Sequence, residues 1–266
     1  MTPAAVVLRV AGYGTSNVLR SRWLLAYVGF FAVVTDALLR FGGGDGRALL
    51  SLVNVVLFVV PLVALVFGTT YLYDAREFTE LLLTQPVGRP PLFGGLLLGL
   101  ALPLAVGFVA GVGLPFAIHG LGSRAEAATL ATLLACGVAL TLVFVALAFV
   151  IATRCDDKVR GLGAAVGLWL ALGLVYDGAV LLAVAVFADY PVERPLLAAM
   201  LTNPIDLARV LLLLRFDVAA LLGYTGAVFA RFFGGTAGSL VAASALLAWI
   251  VLPLGLGLRA FRRRDF

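Results

Sequence analysis

Charge is scarce in this chain: Asp, Glu, Lys and Arg make up 12% of its 266 residues, against 63% hydrophobic residues and a mean hydropathy of +1.12. That balance excludes a soluble globular domain and points to a polytopic membrane protein, whose apolar surface faces lipid. Histidine is nearly missing as well. The lone His119 cannot supply the paired His or Glu at helical spacing that an intramembrane metalloprotease needs. Cysteine is limited to Cys136, inside an apolar run, and Cys155, beside Arg154, which give neither a disulfide framework nor a metal-binding spacing. Lysine occurs once, at Lys158 in a charged turn, and no G-x-x-x-x-G-K-[ST] is present, so the chain cannot cradle nucleotide phosphates itself. Any ATP-driven function therefore needs a separate ATPase. No catalytic, cofactor-binding or metal-ligating set is assigned. Nucleic acid is not an expected partner either, because 18 of the 19 basic residues are Arg and they cluster at the ends of apolar runs, where they orient the chain in a membrane.

What is present is apolar length. Runs able to cross roughly 30 Å of hydrocarbon fall at 23–39, 49–70, 92–118, 127–152, 161–187 and 237–258, which gives six spans. The pattern of a cleaved leader is lacking, so the first run is expected to be kept as a span. Residues 3–22, with Arg9, Arg20 and Arg22 around Gly12, Gly14 and Thr15-Ser16-Asn17, are too broken and charged to span and are expected to lie along the inner surface. If the N-terminus is cytoplasmic, the inside segments hold twelve basic residues and the short outside loops hold three, Arg40, Arg47 and Arg124. Both termini and the 71–91 stretch are then inside. The whole of 1–266 reads as a single transmembrane domain, all-α, in the plasma (inner) membrane.

The stretch 71–95 packs mixed charge, an amphipathic helix and a proline break between two spans. Over 74–85 the helical wheel sets Ala75, Phe78, Leu81 and Leu82 on one face and Arg76, Glu77, Glu80 and Thr84 on the other, with Arg76 and Glu80 able to pair at i,i+4. Pro86 ends it, and Gly88 with Pro90-Pro91 makes a stiff turn. Such a helix is either gripped and moved by a soluble partner or is an inert interfacial joint between two spans.

Two further features carry charge or capping signals. Asp177 sits mid-span, where a carboxylate costs about 2.5–3.5 kcal/mol on insertion scales; it either lines a cavity or subunit interface, or is held by a neighbouring helix. Asp36, nearer an outer end, is explained by a local ion pair with Arg40. The long segment 188–236 is apolar without spanning and is read as outer-face helices, interfacial or re-entrant. One start signal there is well formed: Asn203 as N-cap, Pro204 at N1 and Asp206 in the first turn. Small-residue pairs at Gly95/Gly99, Gly107/Gly111 and Gly163/Gly167 permit close helix approach.

Taken in order, Leu19-Arg20-Ser21-Arg22-Trp23, the ELLLTQPVGRPPLFGG core of 80–95, Val175-Tyr176-Asp177, the run NPIDLAR at 203–209 and Phe261-Arg262-Arg263-Arg264 resemble the type-2 ABC exporter permeases, and among them the NosY type. The chain departs from that pattern where Glu77 is followed by Phe78-Thr79 in place of Gly-Thr. The resemblance implies six spans, a homodimer, and a cytoplasmic ATPase docked on the 74–85 helix and the N-terminal region, with Asp74, Arg76, Glu77, Phe78, Glu80 and Leu82 as coupling residues. It also implies a role in maturing the copper site of nitrous oxide reductase, with a periplasmic accessory protein as a further partner beside membrane lipid. A rival reading is a stand-alone secondary transporter or channel using Asp177. The cargo is not expected to be bare copper(I), since Cys136, Cys155, Met200, His119 and Met1 are too few and too scattered to line a path for a soft ion.

Overall fold

The computed structural model describes residues 2–42, 45–120, 123–187, 193–213 and 236–264. Every regular element among them is helical: α1 (Pro3–Leu19), α2 (Arg22–Phe41), α3 (Asp45–Asp74), α4 (Arg76–Leu83), α5 (Arg89–His119), α6 (Arg124–Arg154), α7 (Lys158–Leu170), a π turn (Ala171–Val175), α8 (Tyr176–Val186), α9 (Glu193–Leu201), α10 (Pro204–Leu213) and α11 (Thr236–Arg263). Six segments are long and apolar enough to cross a membrane, and they match the six expected runs: Arg22–Phe41, Arg47–Asp74, Arg89–His119, Arg124–Arg154, Lys158–Val186 and Leu240–Arg263. An all-α polytopic membrane protein is the result.

The helices continue through Pro61, Pro103, Pro115 and Pro253, which packing against neighbouring helices permits in spans. Threonine hydroxyls inside the bundle are turned back on their own helices: Thr141 donates to the Gly137 carbonyl and Thr153 to the Phe149 carbonyl, at 2.8 and 2.7 Å. Such bonding satisfies groups that hydrocarbon could not.

At the centre stand α3, α5 and α6. Phe31 of α2 meets Phe108 of α5 edge-on at 5.2 Å, and Phe93 of α5 meets both Phe149 of α6 and Phe261 of α11. The glycine pairs explain the tight fit. A Cβ at Gly95 would lie 2.6 Å from Val10 Cβ, and one at Gly111 would lie 2.9 Å from the Val28 carbonyl oxygen, so α1 and α2 both lie against α5 at nearly backbone distance. The N-terminal segment is thus one continuous helix, with Val6, Val10, Ala11, Gly14 and Val18 turned into the bundle. Gly163 and Gly167 differ, because nothing lies within 4 Å of a Cβ at either.

The two ends of the bundle carry different chemistry. One end gathers Asp74, Arg89, Asp156, Lys158 and Arg264, which are joined by Lys158–Asp74 and Arg264–Asp156 ion pairs and by Arg89 donating to the Arg262 and Arg264 carbonyls. At the other, Asp36 takes Arg40 at 2.8 Å and His119 at 2.7 Å, so the expected local pair is present and also ties α2 to the end of α5. α6 starts at this second end with a full capping box between Ser123 and Glu126.

Candidate functional site

α4 is set by a break. α3 runs on as far as Asp74, Ala75 turns the chain, and α4 occupies only Arg76–Leu83, shorter than the 74–85 helix the periodicity predicts. Arg76 Nε does reach Glu80 Oε1, at 3.1 Å. Phe78 stacks on Tyr13 of α1 with ring centroids 4.9 Å apart, and Leu82 and Leu83 pack on the core. The apolar face is rotated from the expected one: Leu81 points outward with 62% of its surface exposed, while Thr79 is buried with its hydroxyl donating to the Ala75 carbonyl at 2.8 Å. Bonding back to its own helix makes a threonine an acceptable inward residue. Glu77 and Asp74 stay exposed, so α4 presents Leu81 with an acidic edge, on a helix seated by Phe78 and Leu82.

The second assembly surrounds Asp177. Asn203 caps α10, its Oδ1 accepting from the Ile205 amide at 3.0 Å, with Pro204 at the first helical position and Asp206 in the first turn. The cap also reaches outward. Asn203 Nδ2 donates to Asp206 Oδ2 at 2.9 Å and to the Leu172 carbonyl, within the π turn of the fifth span, at 2.8 Å. Arg209 completes the set by donating through Nη1 to both Asp177 Oδ2 and Asp206 Oδ1 at 2.8 Å. Asp177 is thus held by a neighbouring helix as an ion pair, with Arg209 and Asp177 side chains 34% and 30% exposed. It also lines a cleft of about 240 Å³ with Tyr176, Met200 and Arg209. Arg209 faces a larger cleft as well, about 480 Å³, walled by Phe30, Asn54, Phe58, Gly173 and Ile205.

These bonds set the depth of α9 and α10. Leu172 is midway along Lys158–Val186, and Trp249, midway along α11, donates its indole N–H to the Leu201 carbonyl at 3.1 Å. Leu207 and Val210 then cluster with Leu246 and Ala242, nearer the start of α11. The α9–α10 pair therefore enters from the His119 end, turns at Thr202-Asn203 halfway through the bundle, and returns. Of the interfacial and re-entrant alternatives, this is re-entrant. The apolar run at 218–233 lies outside the described residues.

Sequence reasoning missed Arg209 as the partner of Asp177. The available signal was general: a mid-span carboxylate calls for an opposite charge, and Arg209 follows Asp206 by three residues on one helix face. It also missed Tyr13 under Phe78. No cluster of three or more His, Cys, Asp or Glu able to hold a metal occurs among the described residues, and both cysteines are free.

Known proteins agree with this architecture. The family described as ABC-2 family transporter protein matches residues 15–266. The chain is 34% identical, over 97% of its length and 98% of the relative's, to a protein of Pseudomonas aeruginosa named as a probable ABC transporter permease protein NosY. A protein of Stutzerimonas stutzeri with the same name is 31% identical over the same shares. Six spans, an amphipathic helix between the second and third, no nucleotide-binding loop and these matches lead to one conclusion: the chain belongs to the ABC-2 transporter family, as a multi-pass permease subunit and not the ATPase.

Proposed function

We propose that two copies of this chain form the membrane part of an ATP-driven transporter in the inner membrane, with a separate ATPase bound at the end that carries α4. The observation that carries this reading is α4 itself. A helix fixed underneath by Phe78 on Tyr13 and by Leu82, yet displaying Leu81 and the Glu77–Glu80 edge, is shaped to be held from outside the membrane. Asp74, Arg76, Glu77, Phe78, Glu80 and Leu82 are its working residues. Glu77→Lys with Glu80→Lys is expected to release the ATPase from membranes while the permease stays folded; full retention of the ATPase would reduce α4 to a linker.

Against the stand-alone carrier reading stands the family match, whose relatives are named as ABC transporter permeases. The resemblance to the NosY type implies a place in maturing a periplasmic copper enzyme, with a periplasmic accessory protein as a further partner. A bare copper(I) cargo does not fit. Copper(I) wants thiolate, thioether or imidazole ligands, but Cys136 is buried in the bundle, Cys155 lies at one end, and His119 is taken by Asp36 at the other. Vesicles carrying the permease and its ATPase are expected to show no ATP-dependent copper(I) uptake; robust uptake lost on mutating Cys136 or Met200 would overturn this.

A further inference from the structure

The fifth span is the least anchored of the six. Its buried residues are Gly161, Ala165 and Trp169, all in α7, with none in the π turn or α8. What grips its start is the elbow at 155–157 between α6 and α7. Tyr73, in the last turn of α3, donates its hydroxyl to the Cys155 carbonyl at 2.8 Å. Its ring also lies against α7, where a Cβ at Gly161 would be 2.8 Å from two ring carbons. The next residue, Asp74, accepts from Lys158, the chain's single lysine, at 2.6 Å. From the other side Arg264 pairs with Asp156 at 2.8 Å and donates to the Ala152 carbonyl.

The turn that roots α4 is therefore the turn that holds the fifth span. α3 and α5, which flank α4 in the chain, belong to the close-packed core and resist displacement. The fifth span packs in this way only over α7, where Trp169 donates its indole N–H to the Phe58 carbonyl at 3.0 Å, and it carries Asp177 further along, in the part with no buried residue. We infer that the α6–α7 elbow relays movement of α4 to the fifth span, with Tyr73, Asp74 and Lys158 as its positioning residues. This rests on α4 being the ATPase contact. Close packing of Tyr73 on Gly161 is the stiff part of the linkage, and the exposed Lys158–Asp74 pair, which adds little stability, sets the direction in which the elbow follows α4.

The test uses the assembled permease–ATPase complex in lipid nanodiscs, with a spin label on Val166→Cys of the fifth span in a Cys136→Ala, Cys155→Ser background. Trapping with ATP and vanadate is expected to change the label's mobility. Tyr73→Phe and Lys158→Met should each shrink that change roughly three- to tenfold, with ATPase co-purification and basal hydrolysis intact. Lys158→Arg, which keeps a cation for Asp74, should retain most of the change that Lys158→Met loses. A role of Lys158 in packing alone would not separate the two variants by charge. Full nucleotide-dependent change in both single variants, or none in the parent complex, would overturn the relay. Failure of the docking reading shows separately, as retention of the ATPase by the Glu77→Lys, Glu80→Lys variant.

Discussion

At Asp177 the cost of a mid-span carboxylate is offset by a guanidinium 32 positions later in the chain and by the cap of α10. Arg209 uses a single nitrogen for two carboxylates, and Asn203 uses one side chain to cap α10, steady Asp206 and occupy the Leu172 carbonyl. Removing the cation leaves two carboxylates facing one another, whereas removing Asp177 leaves Arg209 its Asp206 partner. Arg209→Leu is accordingly expected to destabilise the detergent-solubilised chain by about 1–3 kcal/mol, below the range for a fully buried pair because a third of each side chain is exposed. Arg209→Lys should fall in between, since an ammonium lacks the planar fork. Asp177→Leu should cost less than Arg209→Leu, and Asp177→Asn least. Thermal unfolding measures the order, and an unchanged midpoint for Arg209→Leu would show that the pair does not hold α8 to α10. Asp177 was visible in the sequence as an expensive residue. Its partner was not, because no short-range pattern links 177 to 209.

Among the elements, the spans were legible and the re-entrant pair was not. Length and hydropathy alone place a span within a few residues, as with 92–118 against Arg89–His119. Depth in the bundle comes from distant bonds, Asn203 to Leu172 and Trp249 to Leu201, which helices of nine and ten residues cannot announce. α4 was legible as an amphipathic helix, but its inward face depended on the turn at Ala75, which shifts the wheel so that Thr79 goes in and Leu81 out. The glycine pairs show the same limit, since spacing marks a place for close approach and not whether a partner comes. That distinction is testable. Gly95→Val forces its branches into Val10 and the Val7 carbonyl and should cost about 1–3 kcal/mol by overpacking, with α1 becoming protease-sensitive. Gly163→Val in the isolated single chain meets open space and should leave the unfolding midpoint within about 0.5 kcal/mol of the parent. Equal effects would mean that α1 is not seated by Gly95.

For the whole molecule, the distribution of charge between the two ends supports the proposed orientation. Arg76, Arg89, Arg154, Lys158, Arg160 and Arg262–Arg264 lie at or beside the end that bears α4, while the opposite end has Arg40, Arg47, His119 and Arg124. Basic residues are retained on the cytoplasmic side, which supports the proposal that the α4 end faces the cytoplasm and the ATPase. The α9–α10 entrance then opens to the opposite compartment. Each conclusion supports the other, because an ATP-driven permease must present its coupling helix where ATP is found. Single cysteines in a Cys136→Ala, Cys155→Ser background test this in whole cells. One at Leu81, exposed on α4, should be shielded from an impermeant maleimide until the membrane is opened, whereas one at Phe41, exposed at the far end of α2, should be labelled directly. The opposite pattern would invert the orientation and with it the assignment of α4 as an ATPase contact, while leaving the six-span architecture and the Asp177–Arg209 pair untouched.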